Sequence, residues 1–156
     1  MAEIVSRQVA AMAAGLTGFA KPLTNLVFAK KRVITITAPT TQVIAQNDTI
    51  ASGIALPVGT RFGLSNWVSH QAQGTSVTLD VGIRNFATKV AIDADGLGAL
   101  VAVAAAGITQ FATGALVAAG ADYVTTEVSE IYATYIAANP TDNAQMRLDI
   151  EVLLPD

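Results

Sequence analysis

From Arg32 onward, apolar and polar residues alternate with a period of two over most of the chain, the signature of strands with one buried face. Ile34 and Ile36 alternate with Val33, Thr35 and Thr37, predicting a first strand that ends at the turn-prone Ala38-Pro39-Thr40-Thr41. A second short strand is expected around Thr49 to Leu56, closed by Pro57-Val58-Gly59. A third extended segment carrying Phe62, Leu64 and Trp67 runs to about His70, and Gln71 to Gly74 forms the next loop. Val77, Leu79, Val81 and Ile83 then point one way while Ser76, Thr78, Asp80 and Gly82 point the other, so one face is buried and the other is wetted or paired. Lys89 to Ile92 reads as a strand closed by a turn at Asp93-Ala94-Asp95-Gly96. The alanine-rich stretch from Leu100 follows, where Ala99 to Ala106 suits a helix on propensity as well as a strand. Tyr123 to Val128 is a candidate strand with β-branched Val124, Thr125 and Thr126. Ile131, Ala133 and Tyr135 alternate with Tyr132, Thr134 and Ile136, and Asn139-Pro140-Thr141-Asp142-Asn143 makes a turn. Finally Met146, Leu148, Ile150, Val152 and Leu154 oppose Arg147, Asp149 and Glu151. Seven to nine short strands separated by turns describe an all-β fold, an antiparallel sandwich or barrel, of which a jelly-roll-like β-sandwich is the form expected here.

The first residues follow another grammar. Val5, Val9, Met12, Leu16, Phe19, Leu23 and Leu26 recur at a 4-3-4-3 spacing that lays them on one helical stripe, but Gly15, Gly18 and Pro22 interrupt it. The pattern predicts a short helix over about Glu3 to Ala14 and an extended run to Lys31, so that an N-terminal arm (1–31) precedes the sandwich domain (32–156). Charge divides at the same place. The first 32 residues carry five cations (Arg7, Lys21, Lys30, Lys31, Arg32) and one acid (Glu3), whereas the rest carry four cations and eleven acids. A segment with its own charge sign points to a partner of its own.

Composition narrows the possibilities. Charged residues are 13% and hydrophobic ones 52%, against a usual charged share of about 25%, which suits a chain that buries surface against copies or partners. With no cysteine, disulfides, zinc-thiolate sites and thiol nucleophiles are excluded. The apolar stretch Val9 to Ala20 is preceded by Glu3 and interrupted by glycines, unlike the core of a signal peptide. Gly96 to Ala121 is uncharged for 26 residues, long enough to cross a membrane. Its five glycines, its Thr109, Gln110 and Thr113, and the flanking acids Asp95 and Asp122 argue against that.

No constellation of catalytic residues emerges. His70, the only histidine, has no nucleophile pattern around it and reads as a surface or loop-edge residue. Asp93-x-Asp95-Gly96 matches the start of a calcium loop, but the twelfth position is Ala104 where a bidentate glutamate is required, and a plain turn is expected instead. Glu127 and Glu130, three apart, would fall on opposite strand faces and make no glycosidase pair. Trp67, Tyr123, Tyr132 and Tyr135 could supply aromatic platforms for a carbohydrate, although such residues in a sandwich usually serve cores and interfaces. Lys30-Lys31-Arg32 is too short for a nucleic-acid motif and reads by default as a solvated charge cluster, although its position just before the first strand suits fastening the arm to an acidic neighbouring subunit. The expectation is a non-enzymatic protein with no catalytic, cofactor or metal site.

An ordered set of motifs remains: Asn47-Asp48-Thr49-Ile50, Gly53-Ile54-Ala55-Leu56, Pro57-Val58-Gly59-Thr60, the strand Val77-Thr78-Leu79-Asp80-Val81-Gly82, Asp93-Ala94-Asp95-Gly96, and the closing Asp149-Ile150-Glu151-Val152. Over residues 47–154 the chain thereby resembles a loosely defined group of small structural proteins of tailed bacteriophages. The resemblance implies a virion component on the capsid surface, a decoration or cement protein. Its partners would be the major capsid protein or other virion proteins, with a homo-oligomer, by analogy a trimer, and neither nucleic acid nor membrane. The arm would attach it, with Val5, Val9, Met12, Leu16 and Phe19 as apolar anchors and Arg7, Lys21, Lys30, Lys31 and Arg32 supplying charge. The alternatives are a tail-fibre or head–tail module that reads glycans through Trp67 or Tyr132, and a membrane protein of the holin kind, which requires residues 96–121 to be helical.

Overall fold

The computed structural model describes residues 30–40 and 43–155. The proposed arm contacts Val5, Arg7, Val9, Met12, Leu16, Phe19 and Lys21 lie outside the described residues. Nine strands are formed among those described: β1 (Lys30–Thr37), β2 (Thr49–Ala51), β3 (Arg61–Phe62), β4 (Asn66–His70), β5 (Thr78–Asn85), β6 (Ala91–Ala102), β7 (Gly107–Phe111), β8 (Ser129–Ile136) and β9 (Met146–Leu154). One sheet, A, runs β1-β9-β4-β7 with β3 also on β9; the other, B, runs β2-β8-β5-β6. The registered pairs are antiparallel. Counting β3 and β4 as one interrupted strand, eight strands are shared four to a sheet in the order of a jelly roll, as the alternation predicted.

The core is where the alternating apolar sets of both sheets meet. Ile34, Ile36, Val68, Leu148, Ile150 and Val152 of sheet A form one cluster with Leu79, Val81, Ile83, Ile131, Ala133 and Tyr135 of sheet B. A one-residue slip in any of these strands would turn its whole apolar set to solvent, which is what holds the register.

The third predicted segment is broken in two by an irregularity. Arg61 and Phe62 pair with Leu153 and Val152, but Trp67 pairs with Asp149, a shift of two residues across Gly63-Leu64-Ser65. Asn66, wholly buried, closes the gap in the ladder. Its Nδ2 donates to the Gly63 carbonyl (3.0 Å) and its Oδ1 accepts from the Glu151 N–H (3.0 Å). Asn66→Ala strands both backbone groups, so chemical denaturation should show a loss of about 2–3 kcal/mol; an unchanged midpoint would mean that water replaces the amide there.

The middle third departs from expectation. Asp93 to Gly96 is not a turn between strands but a bulged part of the single strand β6, in which Ile83 pairs with Asp93 while Val81 pairs with Gly98. Residues 96–121 form no helix: β6 continues to Ala102, β7 returns, and a 3₁₀ turn at Ala118–Gly120 follows. Among the described residues no helix is long and apolar enough to cross a membrane, so the holin alternative loses its premise. Tyr123 to Val128 is not a strand either. Val124 makes one isolated bridge to Arg61, and Thr125 spends its hydroxyl on the Pro57 carbonyl (2.9 Å) and the Thr60 N–H (3.0 Å).

Candidate interaction surface

The outward face of sheet A carries the exposed chemistry. Along β4, Val68 and His70 turn inward, which turns Trp67 and Ser69 outward, and the Trp67 side is 41% exposed. Register sets its neighbours: Trp67 lies between Asp149 of β9 and Gln110 of β7, and Ser69 between Arg147 and Ile108. Val33, Leu64 and Ile108 are further exposed apolar residues of this sheet and its bulge. The charges beside them are already satisfied. The Arg147 guanidinium forks onto Asp149 (Nε to Oδ1 3.0 Å, a second N–H to Oδ2 2.9 Å), and the Thr35 hydroxyl donates to the same carboxylate (2.7 Å).

One row farther along, the ends of β1, β4 and β9 enclose a groove of about 510 Å³. Its polar lining is Thr37, Thr40, Ser69, His70, Gln71, Gln145 and Arg147, with Ala38, Ala106 and Met146 beside them. A buried network anchors the wall behind it. Tyr135 Oη donates to Gln73 Oε1 (3.1 Å), Gln73 Nε2 donates to the Gln71 and Gln145 carbonyls (3.2 Å each), and the Gln145 N–H donates to Gln71 Oε1 (2.9 Å). Burial pushes the Tyr135 phenol up to about 12, so it stays a hydroxyl donor. His70, expected at the surface, is buried at the strand end. Its Nδ1 lies 3.1 Å from the Gln71 carbonyl oxygen, to which it donates, and its Nε2 is buried without a partner.

On the outward face of sheet B the part around Glu130 is closed over. Glu130 is 1% exposed, and its Oε1 receives Arg84 Nε (2.8 Å) and Lys89 Nζ (2.7 Å). The Arg84 guanidinium also sits 5.1 Å from the centroid of the Tyr132 ring. Tyr132 is therefore only 6% exposed and cannot serve as a glycan platform, leaving Trp67 as the exposed member of that proposed pair. Glu127 bonds Asn85 and Glu130 the two cations, so the carboxylates share no substrate-sized gap. Burial and the neighbouring Asp95 carboxyl push Asp93 above the usual carboxylate range. Among the described residues no three His, Cys, Asp or Glu side chains converge as metal ligands.

Of the proposed arm cations, Lys31 bonds Glu151 across to β9 (2.9 Å), and Arg32 is exposed with its guanidinium on the Lys31 carbonyl (3.1 Å). Lys30 begins β1. Sequence reasoning missed the groove, Gln73 and the Glu130 cluster, because each depends on which strands lie side by side. The one legible hint was Glu130 itself, an acid at a position that alternates with apolar residues.

No protein-family model matches the chain, and no curated protein sequence does. Solved structures do, phage capsids among them. A chain of the cyanophage Pam1 capsid asymmetric unit superposes with a TM-score of 0.56 at 21% identity, covering 81% of this chain and 86% of that one. A chain of the capsid of Ralstonia phage GP4 gives a TM-score of 0.62 at 15% identity, covering 82% and 87%. At these identities the likeness is one of fold, and this chain's sandwich is built like those of two phage capsid chains.

Proposed function

We propose that this chain is a non-enzymatic structural protein of a phage virion, located on the capsid surface, where it decorates or cements the head. The observation that carries the reading is that the whole sandwich, not a fragment, matches chains of two phage capsids. The two coverages are nearly equal in each case, so the matching chains are also about this size. Low charge and scattered exposed apolar residues such as Val33, Leu64 and Ile108 fit a surface meant to be covered. Its partners are the major capsid protein or other virion proteins, and its own copies, as a trimer by resemblance.

In this reading residues 1–29 tether the sandwich, with apolar anchors at Val5, Val9, Met12, Leu16 and Phe19 and charge from Arg7 and Lys21. Lys30, Lys31 and Arg32 carry that charge into β1, an edge strand of sheet A that pairs with β9 alone among the described strands. A variant lacking residues 1–29 leaves β1 intact. It should keep its thermal melt yet bind capsids at least about a hundredfold more weakly, roughly 2.7 kcal/mol. The full-length triple variant Val9→Asp, Met12→Asp and Leu16→Asp should reproduce the loss. Undiminished attachment of both would remove the tether role.

A further inference from the structure

We infer that the groove at the end of sheet A, together with the Trp67 ring beside it, is a binding site for a neutral saccharide. The inference concerns a second activity and does not depend on capsid attachment.

The groove's size lies within the range of ligand sites. Its lining selects the ligand class. Hydroxyls from Thr37, Thr40 and Ser69 and amides from Gln71 and Gln145 offer donors and acceptors without charge. The one charged group in the lining, Arg147, is paired with Asp149, so among the described residues the groove offers no unpaired cation to a phosphate or carboxylate. These uncharged donors and acceptors stand beside methyl and methylene surface, a combination that suits a molecule carrying hydroxyls on an apolar ring.

A further observation points the same way. Trp67 and Ser69 stand two residues apart on the same outward face, roughly 7 Å, so a ligand seated against Ser69 reaches the indole. Its flanking neighbours Asp149 and Gln110 are held in place, Asp149 by Arg147 and Thr35, and Gln110 by the Leu64 carbonyl (3.4 Å). A flat exposed ring between fixed planar polar groups suits a pyranose, which has an apolar C–H face and a rim of hydroxyls. The buried Tyr135–Gln73 network holds Gln71 and Gln145, so the polar wall is formed before the ligand arrives.

The test uses the full-length protein on an immobilised panel of neutral hexose and N-acetylhexosamine oligosaccharides, with sialylated and sulfated members as charged controls. Titration calorimetry with the strongest neutral binder follows. Binding should be confined to neutral members, Trp67→Ala should weaken it at least about tenfold, and Trp67→Phe should retain most of it. Trp67 is on the surface, so the melting temperature should hold in both variants. The inference is overturned if no neutral member binds, if only charged members bind, or if Trp67→Ala binds as the parent does. Loss of capsid attachment in Trp67→Ala, without any saccharide binding by the parent, would make this face a protein contact: the saccharide site then falls and the capsid reading stands. Saccharide binding by a protein that ignores capsids would have the opposite meaning.

Discussion

Replacing Glu130 with alanine is expected to destabilise the sandwich by about 3–5 kcal/mol, a drop in melting temperature of roughly 10 °C. Two cations meet on the Oε1 of a side chain that water scarcely reaches. Removing it affects them unequally. The Lys89 side chain is 48% exposed and can turn to solvent, but the Arg84 side chain is 15% exposed and is left charged and unpaired beneath the surface of sheet B. The loss therefore comes mainly from Arg84, and the double variant Glu130→Leu, Arg84→Met should recover most of it by replacing the pair with packed apolar groups. The acid limb provides a second readout. Burial works to raise the Glu130 carboxyl, but the hydrogen bonds from Lys89 and Arg84 outweigh it and hold the group below its ordinary value. A carboxyl depressed by folding contributes stability that is complete above its unfolded pKa of about 4.3 and is lost as pH falls through the lower folded value. The raised Asp93 works in the opposite sense, so the quantity to measure is the difference between parent and variant melts. That difference should shrink below about pH 4.3; a constant difference down to pH 2 would show that the ion pairs contribute nothing.

The strands that could be read along the chain are those whose inner face meets the core. In β1, β5, β8 and β9 an apolar residue faces inward at every second position, and all four strands lie where the pattern places them. The failures share a cause, which is that backbone from elsewhere supplies what the local sequence lacks. Asp93-Ala94-Asp95-Gly96 has turn chemistry, yet it is held as a bulge because the side-chain-free face of Gly82 in β5 lets the Asp93 and Ala94 backbone come close. Val124-Thr125-Thr126 has strand propensity, yet Thr125 bonds the Pro57–Thr60 turn and no ladder forms. The outer face of β8 reads as wetted, but register sets Arg84 directly across from Glu130, and a pairing between residues 46 apart leaves no trace in local alternation. Trp67 is the converse case. Its outward direction follows from Val68 and His70 pointing inward, whereas the groove beside it exists only once β1, β4 and β9 are aligned.

Gly114→Ala should be nearly as damaging as the loss of Glu130, although it adds one methyl group to a position with an ordinary backbone angle. A Cβ at residue 114 would overlap the carbonyl oxygen of Asp95 and the carbonyl group of Gly96, backbone atoms that no rotamer change can clear. The contact occurs because the segment after β7 runs along the bulged part of β6, tied to it by the Leu116 N–H on the Gly96 carbonyl (2.9 Å) and by Thr113 Oγ1 on the Ala99 backbone (N–H 3.0 Å, carbonyl 3.2 Å). To admit the methyl, the segment must lift. That breaks those bonds and draws the buried Val117 and half-buried Leu116 from the core edge. Overpacking against fixed backbone then costs about 3 kcal/mol, or roughly 6–12 °C in melting temperature. Gly107→Ala is the matched control: it lies in the same glycine-rich run and has nothing within 4 Å of the added carbon. It should melt within about 1–2 °C of the parent. Equal losses in the two variants would assign the effect to glycine content in general; a loss confined to Gly114 would show that this glycine is needed for close backbone packing against β6.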